Sequence, residues 1–271
     1  MGPVGTAGNR QLSPSLTGTD STDPWPLSYS QTVSSRDGTR LFAVGTKRRG
    51  ELVSYDTRSK QFVPILSGIS AFDVTFSADG QWAAYISYPE GTLWRSRADG
   101  MERLQLTYPP MQVFLPFISP DGKRVAFGTF QGEVYVVNID GSELQKIATA
   151  FSLAANWSPD GNRIIMIHMA GTESKEQIFN FRTGQLSVVP SSQGFGGGQW
   201  VGPDEFVAAW RGTRALRVLN LNTNTWSELV PEAVNWAHSL DYKYLYYTTG
   251  GTEPVPCASA SPTEKSSFSP V

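Results

Sequence analysis

The stretch that decides the fold is LPFISPDGKRVAFGT, Leu115 to Thr129. An apolar run enters Ser119-Pro120-Asp121-Gly122 and a second apolar run leaves it, the pattern of two antiparallel strands joined by a tight turn. Proline presets φ for the second position of a turn, aspartate bonds back to nearby backbone, and glycine accepts the conformation that closes it. The stretch is therefore a β-hairpin.

The hairpin recurs along the chain. The residues just before the turn are Ser34, Phe76, Ile118, Trp157, Trp200 and His238, in steps of 42, 42, 39, 43 and 38. Ser-Arg-Asp-Gly follows at 35–38, Ser-Ala-Asp-Gly at 77–80, and Ser-Pro-Asp-Gly at 119–122 and 158–161. The last two copies have drifted to Val-Gly-Pro-Asp at 201–204 and Ser-Leu-Asp-Tyr at 239–242. A period of roughly 40 residues with strand-like content predicts an all-β propeller of four-stranded blades.

Between the turns the strands can be placed. The first blade runs over about 30–68, with strands near 41–45, 51–55 and 61–66. The second uses 82–87, 92–97 and 103–107; the third, 124–128, 133–138 and 143–148. The fourth uses 163–168, 177–181 and 185–189; the fifth, 205–210, 215–219 and 226–230. The sixth has its hairpin at 234–238 and 244–248, but the following Thr-Glu-Pro-Val-Pro-Cys-Ala-Ser-Ala-Ser-Pro-Thr is too rich in proline and serine for two ladder strands. The expectation is a six-bladed β-propeller over 28–250 whose sixth blade is incomplete, a flexible leader at 1–27, and a disordered or aberrant tail at 251–271. Within the leader, Asn9 to Ser13 resembles Arg103 to Thr107 and could be the remnant of an outer strand.

The aromatic-Ser-Pro-Asp-Gly-Lys/Asn-Arg-apolar pattern of Trp157 to Ile164 and Phe117 to Val125 resembles the repeat of TolB-type propellers, which are similar to WD-repeat blades without the Trp-Asp signature. Arg49 to Pro110 resembles the propeller parts of large bacterial sensory regulators and kinases. The resemblance implies a periplasmic setting, a regulatory domain covalently linked to the propeller, and a chain that continues with further strands, so that this sequence would be a fragment. It is specific for fold and says little of function.

Composition narrows the partners. A net charge of −2 gives no basic face for a phosphate backbone, so nucleic acid is not expected to bind this segment. The single cysteine, Cys257, can form no internal disulfide. The first ten residues lack the apolar stretch of a secretory signal, and nowhere do 18 apolar residues run together, so no membrane insertion is expected.

Catalytic patterns are few. No Gly-x-Ser-x-Gly nucleophile elbow occurs, although prolyl-oligopeptidase-like hydrolases carry propellers of related appearance; a propeller whose catalytic domain is absent is the alternative reading. His168 and His238 lie in or beside inner strands, where a packed, hydrogen-bonded histidine is the simpler expectation, and with one cysteine they make no metal constellation. Gly194 to Gly198, GFGGG, lacks the Lys-Ser/Thr of a phosphate loop and reads as a flexible connection. Asp37, Asp79, Asp121 and Asp160 stand one per blade and build turns rather than share a calcium ion. Asn156-Trp157-Ser158 matches a glycosylation acceptor, but its tryptophan belongs in the core. A hydrolase site in the channel would need clustered carboxylates, for which Asp73 is the main inward candidate.

One binding pattern remains. Phe72, Phe114, Phe151 and Phe195 each precede an innermost strand, where loops surround one mouth of the central channel. They could ring a docking surface for a protein, a peptide or a small ligand, or pack between adjacent blades. No cofactor is expected. The sequence reading is a non-catalytic interaction or sensing module.

Overall fold

The computed structural model describes residues 28–46, 49–56, 58–66, 68–149, 152–238, 244–248, 256–260 and 269–270. Among them there is no helix, and every regular element is a strand. The chain divides into two compact units, 1–48 and 49–271.

In the first unit β1 (Ser28–Ser34) pairs antiparallel with β2 (Leu41–Thr46) across the Ser35-Arg36-Asp37-Gly38 turn. In the second, β3 (Val53–Asp56) and β4 (Gln61–Pro64) form a separate hairpin. The expected first blade is thus two two-stranded sheets rather than one of four. A physical reason lies just before β3: Gly50 accepts from Ala71 N at 3.3 Å and donates to Ser70 Oγ at 3.2 Å, which ties the β3–β4 hairpin to the following sheet.

Four-stranded antiparallel sheets follow in sequence order. They comprise β5 (Ala71–Phe76), β6 (Trp82–Ser87), β7 (Leu93–Arg97) and β8 (Leu104–Gln105); then β9 (Val113–Ile118), β10 (Arg124–Thr129), β11 (Val134–Asn138) and β12 (Gln145–Ala148). Next come β13 (Ser152–Trp157), β14 (Arg163–Ala170), β15 (Glu173–Asn180) and β16 (Gln185–Val188), and β17 (Phe195–Trp200), β18 (Glu205–Trp210), β19 (Leu216–Asn220) and β20 (Thr225–Val230). The last sheet is β21 (Asn235–His238), β22 (Tyr244–Thr248), β23 (Pro256–Ala260) and β24 (Ser269–Pro270).

That last sheet corrects the expectation of an outer half missing from the sixth blade. The prolines fall where a ladder tolerates them: Pro256 opens β23, and Pro270 lies in the two-residue edge strand β24, so the Cys-Ala-Ser-Ala run between prolines is free to pair with Tyr244–Tyr247.

Alternation within each sheet explains how the sheets stack. On β10, Val125 and Phe127 enter the core shared with Ile86 and Leu93, whereas Ala126 enters the core shared with Trp157 and Met166. β14 repeats this: Ile164 and Met166 face the third-strand residues of the preceding sheet, and Ile165 faces Trp200 and Phe206 of the next. Both faces of these two sheets are therefore apolar, with a core at each seam they share with a neighbour. β5, β9, β13, β17 and β21 are neighbours in succession. Sheets stacked face to face with their first strands side by side make a β-propeller.

The turn that founded the sequence reading has one hydrogen-bond plan. Ser119 Oγ donates to Asp121 Oδ1 at 2.5 Å and accepts from Arg124 N at 2.9 Å; Asp121 Oδ1 also accepts from Lys123 N at 3.1 Å. Gly122, at φ +70°, donates its amide to Ser119 O at 2.8 Å. The same plan recurs around Ser35–Asp37, Ser77–Asp79 and Ser158–Asp160. Each of these aspartates accepts turn hydrogen bonds through Oδ1, as read from the sequence.

Candidate interaction site

The first strands β5, β9, β13 and β17 each carry a bulge at a similar place. In β5 the extra residue is Asp73, between the Phe72–Ile86 and Val74–Tyr85 pairs. In β9 the register shifts between Phe114 and Phe117, and in β17 between Gly196 and Gln199. Three of these positions have left-handed backbone: Asp73 at φ +51°, Leu115 at +49° and Gly197 at +74°. A bulge re-aims the side chain beside it, and such bulges recur near functional sites. Glycine and aspartate tolerate this region; leucine does so at a cost on the order of 1 kcal/mol.

The bulges link neighbouring blades. Leu115 N donates to Asp73 Oδ2 at 3.1 Å, from the first strand of one sheet to that of the next. Around this bond lie two aromatic pairs. Phe72 meets Tyr88 edge to face at 6.0 Å, and Phe114 meets Phe130 at 5.2 Å. Phe72 and Phe114 are half-buried, whereas Phe130, in the turn between β10 and β11, is 65% exposed. Phe114 also covers Gly128, where an added Cβ would sit 2.9 Å from the ring. Asp73, Phe72, Leu115, Phe114 and Phe130 thus form one contiguous surface.

The other two phenylalanines do not join it. Phe195 is 2% exposed, stacks on Trp226 at 3.9 Å and 8°, and meets Trp210 edge to face at 4.8 Å. It is a core residue, because the outer-strand Trp226 reaches over it; packing is its role. Phe151 lies outside the described residues.

The glycines 196–198 differ from the sequence expectation as well. They are in strand β17, not in a flexible connection, and neighbours on both sides leave no room for a side chain. An added Cβ would lie 2.6 Å from Ile167 Cδ1 at Gly196, 2.8 Å from Trp236 Cζ2 at Gly197, and 2.7 Å from Ile165 Cδ1 at Gly198. Against Gly198 rests Glu176, fully buried, whose Oε1 accepts from Gly198 N at 3.0 Å while Oε2 has no partner. Burial pushes its pKa up to about 7, with the Gly198 amide pulling weakly the other way. Nothing in the sequence pattern singled Glu176 out, since a lone acid in an alternating strand reads as solvent-facing.

Among the described residues no three of His, Cys, Asp and Glu converge to hold a metal. His168 is half-buried in β14 with Nδ1 unpartnered, and the side chain of His238 lies outside the description. Asn156 is 5% exposed and accepts from Trp200 N at 3.1 Å, which agrees with setting aside a glycan there. No helix is long and apolar enough to cross a membrane among the described residues.

No family model matches the chain. An uncharacterized protein of Agrobacterium fabrum is 26% identical over 110 residues, 34% of this chain and 38% of that protein's length. TolB from Acinetobacter baumannii superimposes with a TM-score of 0.64 at 17% identity, covering 78% of this chain and 57% of that one. A protein of Agrobacterium tumefaciens described as a TolB gives 0.66 at 13%, covering 82% and 88%. An oligogalacturonate lyase in complex with manganese gives 0.59 at 13%, covering 79% and 70%. The chain spans under two thirds of the length of its curated relative and of the Acinetobacter structure. A lyase is thus among the proteins that share this architecture, and the likeness fixes the fold alone. Two-sided sheets, a shared core at each seam and these superpositions lead to one conclusion: the chain has the fold of a TolB-like β-propeller.

Proposed function

We propose that this propeller is a non-catalytic interaction module, part of a larger bacterial regulatory or periplasmic protein, that docks a protein or peptide at one mouth. The observation that carries the reading is Phe130, 65% exposed and packed at a tilt of 58° against the half-buried Phe114. An exposed aromatic held by a second one is a pre-ordered anchor, and such residues dominate binding energy at protein interfaces. Along β5, β9, β13, β17 and β21 the only Asp, Glu, Lys or Arg is Asp73, which favours docking over hydrolysis by paired carboxylates.

A random-dodecapeptide display selection on the purified chain tests the reading. Enriched peptides should bind at micromolar to submillimolar Kd and lose at least fivefold in affinity with Phe130→Ser, a change that leaves the melting temperature within about 2 °C because the side chain is exposed. Enriched peptides indifferent to Phe130→Ser, or no enrichment, would remove the mouth as a docking site.

A further inference from the structure

We infer that Asp73 is the point at which this mouth recognises a basic side chain, so that its ligand is a peptide presenting lysine or arginine between apolar residues. The inference rests on the docking reading above and adds the chemistry of the occupant. Asp73 is half-buried between the first strands of two adjacent sheets. Among the described residues Leu115 N donates to its Oδ2 and no lysine or arginine pairs with it.

The fold does not call for an acid at this position. The corresponding bulge residues of later sheets are Leu115 and Gly197, which bring no carboxylate, and their strands pair in the same way. Asp73 is also the only charged group among five first strands, with Phe72, Val74, Phe114 and Leu115 beside it in sequence or across the seam. A partly desolvated carboxylate without a counter-charge is costly, and a cation that reaches it recovers that cost in a charge-assisted hydrogen bond. Val74 and Leu115 are 36% and 37% exposed and Phe130 65%, so apolar residues on either side of the cation have a surface to cover. The geometry selects apolar-basic-apolar sequence and disfavours an acidic one.

Two capped tetrapeptides serve as probes, Phe-Lys-Phe-Gly and its norleucine analogue, titrated into the whole chain and followed by amide chemical shifts. The lysine peptide should bind at least fivefold more tightly at low salt, and Asp73→Asn should abolish the preference. The asparagine keeps an oxygen for Leu115 N, so the bulge survives; unchanged spectra outside the mouth check this. Equal binding of the two peptides that still depends on Phe130 overturns the assignment to Asp73 and leaves the docking surface standing. A lysine preference unaltered by Asp73→Asn also overturns it. Failure of both peptides to bind overturns the assignment together with the surface.

Discussion

The Arg124 guanidinium lies 4.6 Å over the ring of Trp157, from one sheet to the next. Its Nη2 also donates to Gly161 O at 2.9 Å, and it lies 4.6 Å from the ring of Phe181, which is itself stacked on Trp157 at 5.3 Å. The arrangement repeats one seam later, where Arg163 lies 4.5 Å over Trp200 and bonds to Pro203 O and Asp204. The arginine that follows each Ser-Pro-Asp-Gly turn, at 119–122 and 158–161, therefore fastens the following blade. In the second blade Trp82 occupies this position and receives Arg95 at 4.5 Å instead.

Removing that fastening should be measurable. Arg124→Ala is expected to cost roughly 2 kcal/mol from one cation–π contact and one charged hydrogen bond. Trp157→Ala should cost roughly 3–5 kcal/mol, since the side chain is 2% exposed and also donates to Phe117 O at 2.9 Å. Urea denaturation of the two single variants and the double gives the coupling; strict additivity would mean that the stacking contributes nothing.

The turn network carries an acid dependence. Burial raises the pKa of Asp160, but hydrogen bonds from Asn162 and Ser158 outweigh it and hold the carboxyl down to about 2. A depressed carboxylate stabilises the fold above its unfolded value near 4 and loses that contribution as pH falls toward 2. Asp160→Asn should flatten the stability profile between pH 4.5 and 2. Because the group is largely solvated, the change should stay near 1 kcal/mol.

Glu176 has the opposite sign. Its raised pKa means that the seam is best below the unfolded value of 4.5 and weakens as pH rises through about 7, when a charge must be held in the core. Stability should fall by roughly 2–3 kcal/mol between pH 5.5 and 8.5. Glu176→Gln keeps an acceptor for Gly198 N and should abolish the decline while melting higher at pH 8.5. An unchanged profile in the variant would show that Glu176 does not titrate there.

Gly198→Ala separates space from backbone strain. The added methyl would meet Ile165 and the Glu176 carboxylate inside 3.0 Å or at it, at a backbone angle open to any residue, and should cost roughly 1–3 kcal/mol. Gly184→Ala has nothing within 4 Å but φ +66°, and should cost about 1 kcal/mol. Thermal melts of both variants rank the two effects.

Period and alternation carried most of the fold. The expected strands 82–87 and 205–210 coincide with β6 and β18, because apolar residues on both faces and a fixed turn leave one register. What escaped has specific causes. Proline content hid β23 and β24, since composition does not reveal whether a proline falls at a strand start or an edge. Leu115 carries no residue-type sign of a left-handed bulge, unlike glycine. Phe72, Phe114 and Phe195 look alike in sequence, yet Trp226, some thirty residues downstream, buries only the last. The three glycines of β17 signal close approach of neighbours, a cue easily mistaken for looseness.

The hydrogen bonds of the Ser-x-Asp-Gly turn all begin and end within six consecutive residues. A blade so finished carries its own selvedge: duplication or deletion of a repeat unit leaves no frayed tip to be mended by the neighbours. Sequence drift at 201–204 is then affordable where Val201 is buried in a core shared with Leu245 and Tyr247 of the last sheet.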